Sequence, residues 1–345
     1  MSLTSEAPAP VDIARNKFDL RSGLLGLIAT LGPASKGHEV ELARAGATQF
    51  RINASHLSAS GLHKYIQGAR RQVPDLAIVV DLQGAKMRLG DFEPRAVLRT
   101  EVLRLVLAQS AAGSEVPLPH PEAFRSLCPG DQVSIDDGRI CATVLEVASE
   151  HIVCELQNDG LIRPHKGFNR AEHPVMLDDI TPQDLALALA AVEAGCSSFA
   201  LSFVADGREC DWLRRHLGDV QVAAKIERHD ALTQLSQIAR EADSLWICRG
   251  DLGAQVGARA LGPAVASVHP NKLGTEVWMA GQVLEHLTAH RDPTRSEICH
   301  LYDLISRGYA GIILSDETAI GIDPVNAVRS ARVLLDAARS DACAG

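Results

Sequence analysis

Residues 220–253 read VQVAAKIERHDALTQLSQIAREADSLWICRGDLG. The stretch opens with a β-rich apolar run (220–226), continues through apolar residues at helical spacing (230–242), and returns to a second β-rich run (245–248). An amphipathic helix between two apolar runs of strand length is a strand–helix–strand unit, and such units build parallel sheets. Both runs end in charge: Lys225-Ile226-Glu227 closes the first and Arg249-Gly250-Asp251 the second.

The same pattern extends in both directions. Six further β-rich runs lie at 24–30, 49–53, 77–82, 198–203, 276–280 and 311–315, with helical spacing at 182–194 and 295–306. Strand alternating with helix through eight units predicts a closed (β/α)8 TIM barrel; a doubly wound sheet is the rival, but it does not need all eight. The alternation breaks once, after the third run. There, short alternating stretches at 97–106, 132–135, 142–147 and 151–156 are punctuated by Pro129-Gly130-Asp131 and Asp136-Asp137-Gly138, which predicts an inserted β-rich domain. The expected organisation is a flexible N-terminal tail at 1–20, a barrel at 21–85 and 172–345, and an inserted lid domain at 86–171. One helix, near 324–339, follows the eighth run.

Composition is ordinary for a globular chain, with 46% hydrophobic and 22% charged residues in 345. The net charge is −9 and no basic run stands out, so nucleic acid and anionic membrane are not expected partners. The 8 cysteines are scattered and form no C-x-x-C pair, which suits reduced thiols in a cytoplasmic protein. The N-terminus lacks the pattern of a secretory signal, and no apolar run reaches membrane-spanning length.

Catalytic groups of a (β/α)8 barrel lie at the carboxyl ends of its strands. Those ends carry Arg51 to His56, Asp81 to Arg88, Ser202-Phe203, Lys225 to Glu227, Arg249 to Asp251 and Ser315 to Thr318. Glu227 and Asp251 come from neighbouring strands, about 5 Å apart by sheet geometry. Two carboxylates at that spacing repel unless a cation lies between them, and Mg2+ or Mn2+ is the natural guest. Lys225 and Glu227, two residues apart, face the same side, and Arg51 adds a second cation. A metal, a lysine and an arginine at one point suit phosphoryl or carboxylate oxygens whose charge spreads during transfer. Taken singly, each feature has a plainer reading: Lys-x-Glu as a surface ion pair, Arg-Gly-Asp as a turn, Asp136-Asp137-Gly138 as a hairpin, and His56 or His165 as a solvated or structural histidine. Their order along successive strand ends carries the functional reading.

In that order the motifs resemble the pyruvate kinase family. Thr30-Leu31-Gly32-Pro33-Ala34-Ser35 is similar to its first-strand turn, Arg51-Ile52-Asn53-Ala54-Ser55-His56 to R-x-N-x-S-H, and Asp81 through Arg88 to D-T-K-G-P-E-I-R. Lys166-Gly167-Phe168-Asn169 resembles K-G-V-N, and Ser202-Phe203-Val204 resembles S-F-V. Lys225-Ile226-Glu227 and Arg249 through Gly253 match K-I-E and R-G-D-L-G; Pro293 through Glu297 and Glu317-Thr318-Ala319 resemble P-T-R-A-E and E-T-A. The resemblance runs from about residue 22 to 335. It implies Glu227 and Asp251 as metal ligands, Lys225 and Arg51 as catalytic groups at the phosphoryl, and Gly250, Asp251 and Gly281 beside the substrate. It further implies Pro33, His56, Arg88 and Lys166 at a nucleotide, and Asn53, Ser55, Asp81 and Lys86 in a monovalent-cation region.

Four departures stand out. Lys86 replaces the glutamate before I-R, with Leu82 replacing a threonine, so K+ is not expected to be required: a tethered ammonium substitutes for the ion. Ala280-Gly281-Gln282-Val283-Leu284-Glu285 replaces A-T-Q-M-L-E, so Gly281 stands where the family has a threonine that assists protonation of the enolate. Gln83, Ala85 and Asp316 replace Lys, Pro and Gly. The family's C-terminal regulatory domain has no counterpart, which removes subunit contacts a tetramer would need and leaves a homodimer as one possible assembly. The leading expectation is Mg2+-dependent phosphoryl transfer between phosphoenolpyruvate and ADP, giving pyruvate and ATP. The alternatives are a metal-dependent aldolase or lyase acting through a pyruvate enolate, and a non-catalytic phosphoenolpyruvate or nucleotide sensor.

Overall fold

In the computed structural model, residues 24–136, 138–170 and 176–342 are described. The tail at 1–20 lies outside them.

Eight parallel strands close into a barrel: Gly26–Leu31, Gln49–Asn53, Ala77–Leu82, Ser198–Leu201, Gln221–Ile226, Ser244–Cys248, Glu276–Ala280 and Gly311–Leu314. The first strand closes the ring by pairing with the eighth, Ala29 opposite Leu314. All eight match the sequence expectation to within a few residues, because each is a short apolar run that only a sheet covered on both faces can bury.

Alternation along each strand sorts its side chains. Outward residues such as Leu27, Phe50, Val80, Val222 and Ile312 pack under the helices. Inward residues below the mouth form a second core of Ile28, Val79, Ala200, Ala223, Trp246 and Trp278 among others. Trp278 fills the lower barrel so fully that a Cβ on Gly26 would lie 1.9 Å from its Cη2 atom. One layer higher, the same parity points Thr30, Arg51, Asp81, Ser202 and Lys225 into the barrel. The polar mouth therefore follows from strand register.

The excursion after the third strand leaves and rejoins the barrel between hydrogen-bonded neighbours, since Asp81 pairs with Ala200 of the fourth strand. Between them, a seven-stranded sheet runs in the order Met87–Arg88, Gly167–Arg170, Gln132–Ile135, Ile140–Val147, His151–Leu156, Val102–Val106 and Glu115–Pro117. It has a separate core that includes Leu103, Leu105, Val133, Ile140 and Phe168.

Two elements differ from expectation. The stretch 97–106 is two strands, Arg95–Val97 and Val102–Val106, because a turn with Thr100 at φ 68° interrupts it. The helix expected over 230–242 is two, His229–Thr233 and Leu235–Glu241. Thr233 bonds its hydroxyl to the carbonyl of Asp230 at 2.8 Å, the kind of local side-chain bond that competes with a continuous helix.

Candidate active site

At the mouth, charges of opposite sign alternate across four strands. Arg51, on the second strand, donates from Nε to Asp81 Oδ2 at 2.7 Å and from Nη1 to Thr30 Oγ1 at 2.9 Å. Asp81, on the third, also accepts from Lys225 Nζ at 3.1 Å. Lys225, on the fifth, donates further to Ser202 Oγ at 2.8 Å and pairs with Glu227 Oε1 at 3.1 Å. The other oxygen of Glu227 accepts the backbone N–H of Phe203 at 2.9 Å. Asp251 follows in the first turn of the helix Arg249–Val256, and its Oδ1 pairs with the ammonium of Lys86. Three cations and three carboxylates thus balance within one buried cluster.

Their mutual field sets their protonation. Burial alone would push the Asp81 carboxyl up, but Lys225 and Arg51 outweigh it and hold it below the ordinary carboxylate range. Burial likewise opposes the charged form of Lys225, and Asp81 with Glu227 overcomes it, so the ammonium is held charged. Glu227 is pushed up, first by burial and then by the neighbouring Asp251, against the pull of Lys225. Asp251 goes the other way: burial raises it, but Lys86 outweighs burial and the group is lowered. The two carboxylates therefore differ, Glu227 raised by burial and Asp251 lowered by Lys86.

Their hard oxygen donors fit Mg2+ or Mn2+. Among the described residues, no group of three or more His, Cys, Asp or Glu is placed to hold a metal ion together. Glu227 and Asp251 would hold such an ion together with water or substrate oxygens. This suits an ion that works on a bound anion rather than one caged for structure.

A cleft of about 1180 Å³ leads away from the mouth, lined by Thr30, Pro33, Arg51 and Asn53 and continuing past Lys36 and Lys64. A second cleft, of about 470 Å³, lies between the barrel residues Ser55, Gln83 and Gln183 and the inserted-domain residues Arg88, His120 and His165. The residues assigned to a nucleotide are thus divided: Pro33 lies on the first cleft and Arg88 on the second. Lys166 lines neither; its Nζ is 3.0 Å from Asp136 Oδ1 inside the inserted domain. Asp136, read from sequence as part of a hairpin turn, is therefore also the acid that seats Lys166. The side chain of His56 lies outside the described residues.

Of the four residues assigned to a monovalent-cation region, Asn53 and Asp81 lie opposite each other on the second and third strands. Asn53 accepts the N–H of Ser55 at 3.1 Å and caps a short 3-10 turn. Asp81 lies between Arg51 and Lys225, and Lys86 reaches across to Asp251.

Gly281 is close to Gly250: a Cβ on it would stand 3.3 Å from the Gly250 nitrogen. Its backbone lies at φ 79° and that of Gln282 at φ 54°, both left-handed. Arg249 holds this turn by donating to the carbonyl of Gly281 at 2.9 and 2.7 Å and to that of Gln282 at 2.6 Å. Burial pushes the Arg249 guanidinium down, against Glu317. Two of the sequence motifs also support this loop. Glu317 accepts the N–H groups of Leu284 and Ser315 at 3.2 and 2.7 Å. Thr294 and Glu297 form a capping box, and Glu297 also accepts the N–H of His286 at 2.8 Å.

Sequence reading gave no role to Ser202, Arg249 or Asp184. Ser202 was detectable in principle, since it continues the inward parity of Ala200. Asp184, fully buried on the helix Pro182–Glu193, accepts the N–H groups of Gln83 and Gly84 at 3.0 and 2.9 Å, a contact across 100 residues that no local signal announces.

The chain is similar to known proteins over most of its length. A family model described as "Pyruvate kinase, barrel domain" matches residues 24–328. The pyruvate kinase of Thermococcus litoralis is 32% identical over 326 residues, covering 90% of this chain and 69% of the relative. That of Methylorubrum extorquens is 32% identical, covering 93% of this chain and 70% of the relative. A pyruvate kinase of Agrobacterium vitis is 33% identical, covering 88% and 65%.

Proposed function

This chain belongs to the pyruvate kinase family, and on that premise we propose that it transfers the phosphoryl group of phosphoenolpyruvate to ADP, giving pyruvate and ATP. In that reaction the bond from phosphorus to the enol oxygen breaks and a bond from phosphorus to a β-phosphate oxygen of ADP forms. The released enolate then takes a proton at its methylene carbon. The observation that carries the reading is Lys225: a buried ammonium at the barrel axis, held charged by Asp81 and Glu227 and flanked by the guanidinium of Arg51. A preorganised pair of cations in a dry site stabilises charge spreading over phosphoryl oxygens without reorganising. Glu227 and Asp251 would hold Mg2+ or Mn2+, which supplies Lewis-acid neutralisation of the phosphoryl charge. Asp81 and Ser202 orient Lys225, and Asp81 also orients Arg51. The cleft past Pro33 gives the nucleotide room, and the inserted domain (86–171), which carries Arg88 and Lys166, serves as a cover.

Pyruvate formation from phosphoenolpyruvate, ADP and Mg2+ tests the proposal. Turnover by the native protein, falling on the order of 10²–10³-fold or more in Lys225→Met, is the expected result. Its absence from native protein under saturating substrates overturns the assignment. K+ is not required on this reading, so rates in K+ and in tetramethylammonium should agree.

Gly281 supports a second reading. Gly281 itself brings no hydroxyl to assist protonation, and its backbone is left-handed, a conformation that costs a threonine. An enolate left unprotonated at that point could add to a carbonyl acceptor, which is the chemistry of an aldolase or lyase. Metal-dependent cleavage or condensation of a 2-oxo acid, without pyruvate formation from phosphoenolpyruvate, would select it.

A further inference from the structure

Lys86 belongs to the turn that leads out of the third strand into the inserted domain. That turn is fastened: Asp184 accepts the N–H groups of Gln83 and Gly84, and Gln83 donates from Nε2 to the Lys86 carbonyl at 2.8 Å. From this anchor the side chain crosses the mouth to Asp251 Oδ1. Its ammonium also lies 5.8 Å from the centroid of the Phe203 ring, within range of a cation–π contact. The same Phe203, at φ 58°, gives its N–H to Glu227. One residue therefore supports both the carboxylate pair and the ammonium that neutralises it. The Lys86 and Asp251 side chains are only 12% and 17% exposed, so water screens the pair weakly.

We propose that Lys86 is a resident counter-ion of the carboxylate pair, which a divalent cation must displace in order to bind. The inference rests on the assignment of Glu227 and Asp251 as metal ligands and goes beyond it. It makes the metal affinity of the free protein deliberately low, set by an internal competitor tied to the start of the inserted domain. A divalent ion arriving at Asp251 meets an ammonium already in contact with that carboxylate. Repulsion between such charges a few Å apart exceeds about tenfold in affinity even at the high effective dielectric of a protein site. The ammonium must move off Asp251, and removing it by mutation should strengthen metal binding. A lysine that merely packs or props the turn would have the opposite effect or none.

The test uses Mn2+ alone on the full chain, without nucleotide or phosphoenolpyruvate, with free ion counted by electron paramagnetic resonance. Lys86→Met and Lys86→Gln should each bind Mn2+ roughly tenfold or more tighter than the native protein. Thermal melts give a second readout. Without metal the variants should melt below native protein, because Asp251 loses its partner, and Mn2+ should raise their melting temperature by more than it raises the native one. A variant that folds only in the presence of Mn2+ gives the same answer in extreme form. Equal or weaker Mn2+ binding in both variants overturns the role of Lys86 while leaving the metal pair intact. Absence of Mn2+ binding in native protein and variants alike overturns the metal pair, and this inference with it.

Discussion

The two halves of the barrel interior draw on the same ring of strands, yet they are filled by opposite chemistry. Below, Ile28, Val79, Trp246 and Trp278 pack against one another. Above, two residues further along the first, third and fifth strands, Thr30, Asp81 and Lys225 take their place, with Asp251 in the first turn of the helix after the sixth. The lower layer contributes to stability by removing apolar area from water. The upper layer buries six charges whose desolvation their mutual attraction offsets, an arrangement that apolar residues of similar size would match or exceed in stability. Stability alone does not call for such a layer, and it coincides with the proposed active site.

If this division holds, mutations in the two halves should fail in different ways. Trp278→Ala should show the largest loss of stability, about 3–5 kcal/mol in denaturant unfolding, while the fraction that remains folded keeps its turnover within a few-fold. Lys225→Met should do the reverse, losing turnover first; a variant that unfolds but retains activity per folded molecule would erase the distinction. A smaller effect is expected at the turn between the halves' chemistry and its support. Gly281→Thr places a β-branched residue at φ 79°, where side chains cost about 1–2 kcal/mol, so it should lower stability and should not raise pyruvate formation. A gain in rate would show that the turn relaxes and that only the hydroxyl was missing.

The smallest effect belongs to the floor of the barrel, where Glu276 accepts the indole N–H of Trp278 at 3.1 Å. Burial pushes its carboxyl up, against that hydrogen bond. A raised folded pKa means that the native state holds the proton more tightly than the unfolded chain. Its contribution is complete below the ordinary glutamate value, about 4.3, and is lost as pH rises through the folded value. Glu276→Gln should flatten stability against pH across that window; an unchanged slope would show that the carboxyl does not titrate there.

Much of this is legible in the sequence alone. The eight runs, the inserted sheet and the strand-end motifs are local patterns, and burial on both faces leaves short apolar runs no other option in water. The parity that turns Lys225 and Glu227 to one side is a property of two residues on one strand. Other features needed the closed barrel. The bond from Lys225 to Asp81 joins strands 144 positions apart. Asp184 holds a turn 100 residues away, and Glu317 supports a loop from beyond the eighth strand. Such contacts leave no periodic trace, because any acid of suitable reach could make them from many positions. Lys86 shows the limit most clearly. Its sequence context gave it a place beside Asn53, Ser55 and Asp81, whereas its long side chain crosses to Asp251. The chain alone determined that a cation stands at the mouth. Only the tertiary structure decided which carboxylate it neutralises, since a flexible four-carbon stem takes its direction from the charges the fold brings within reach.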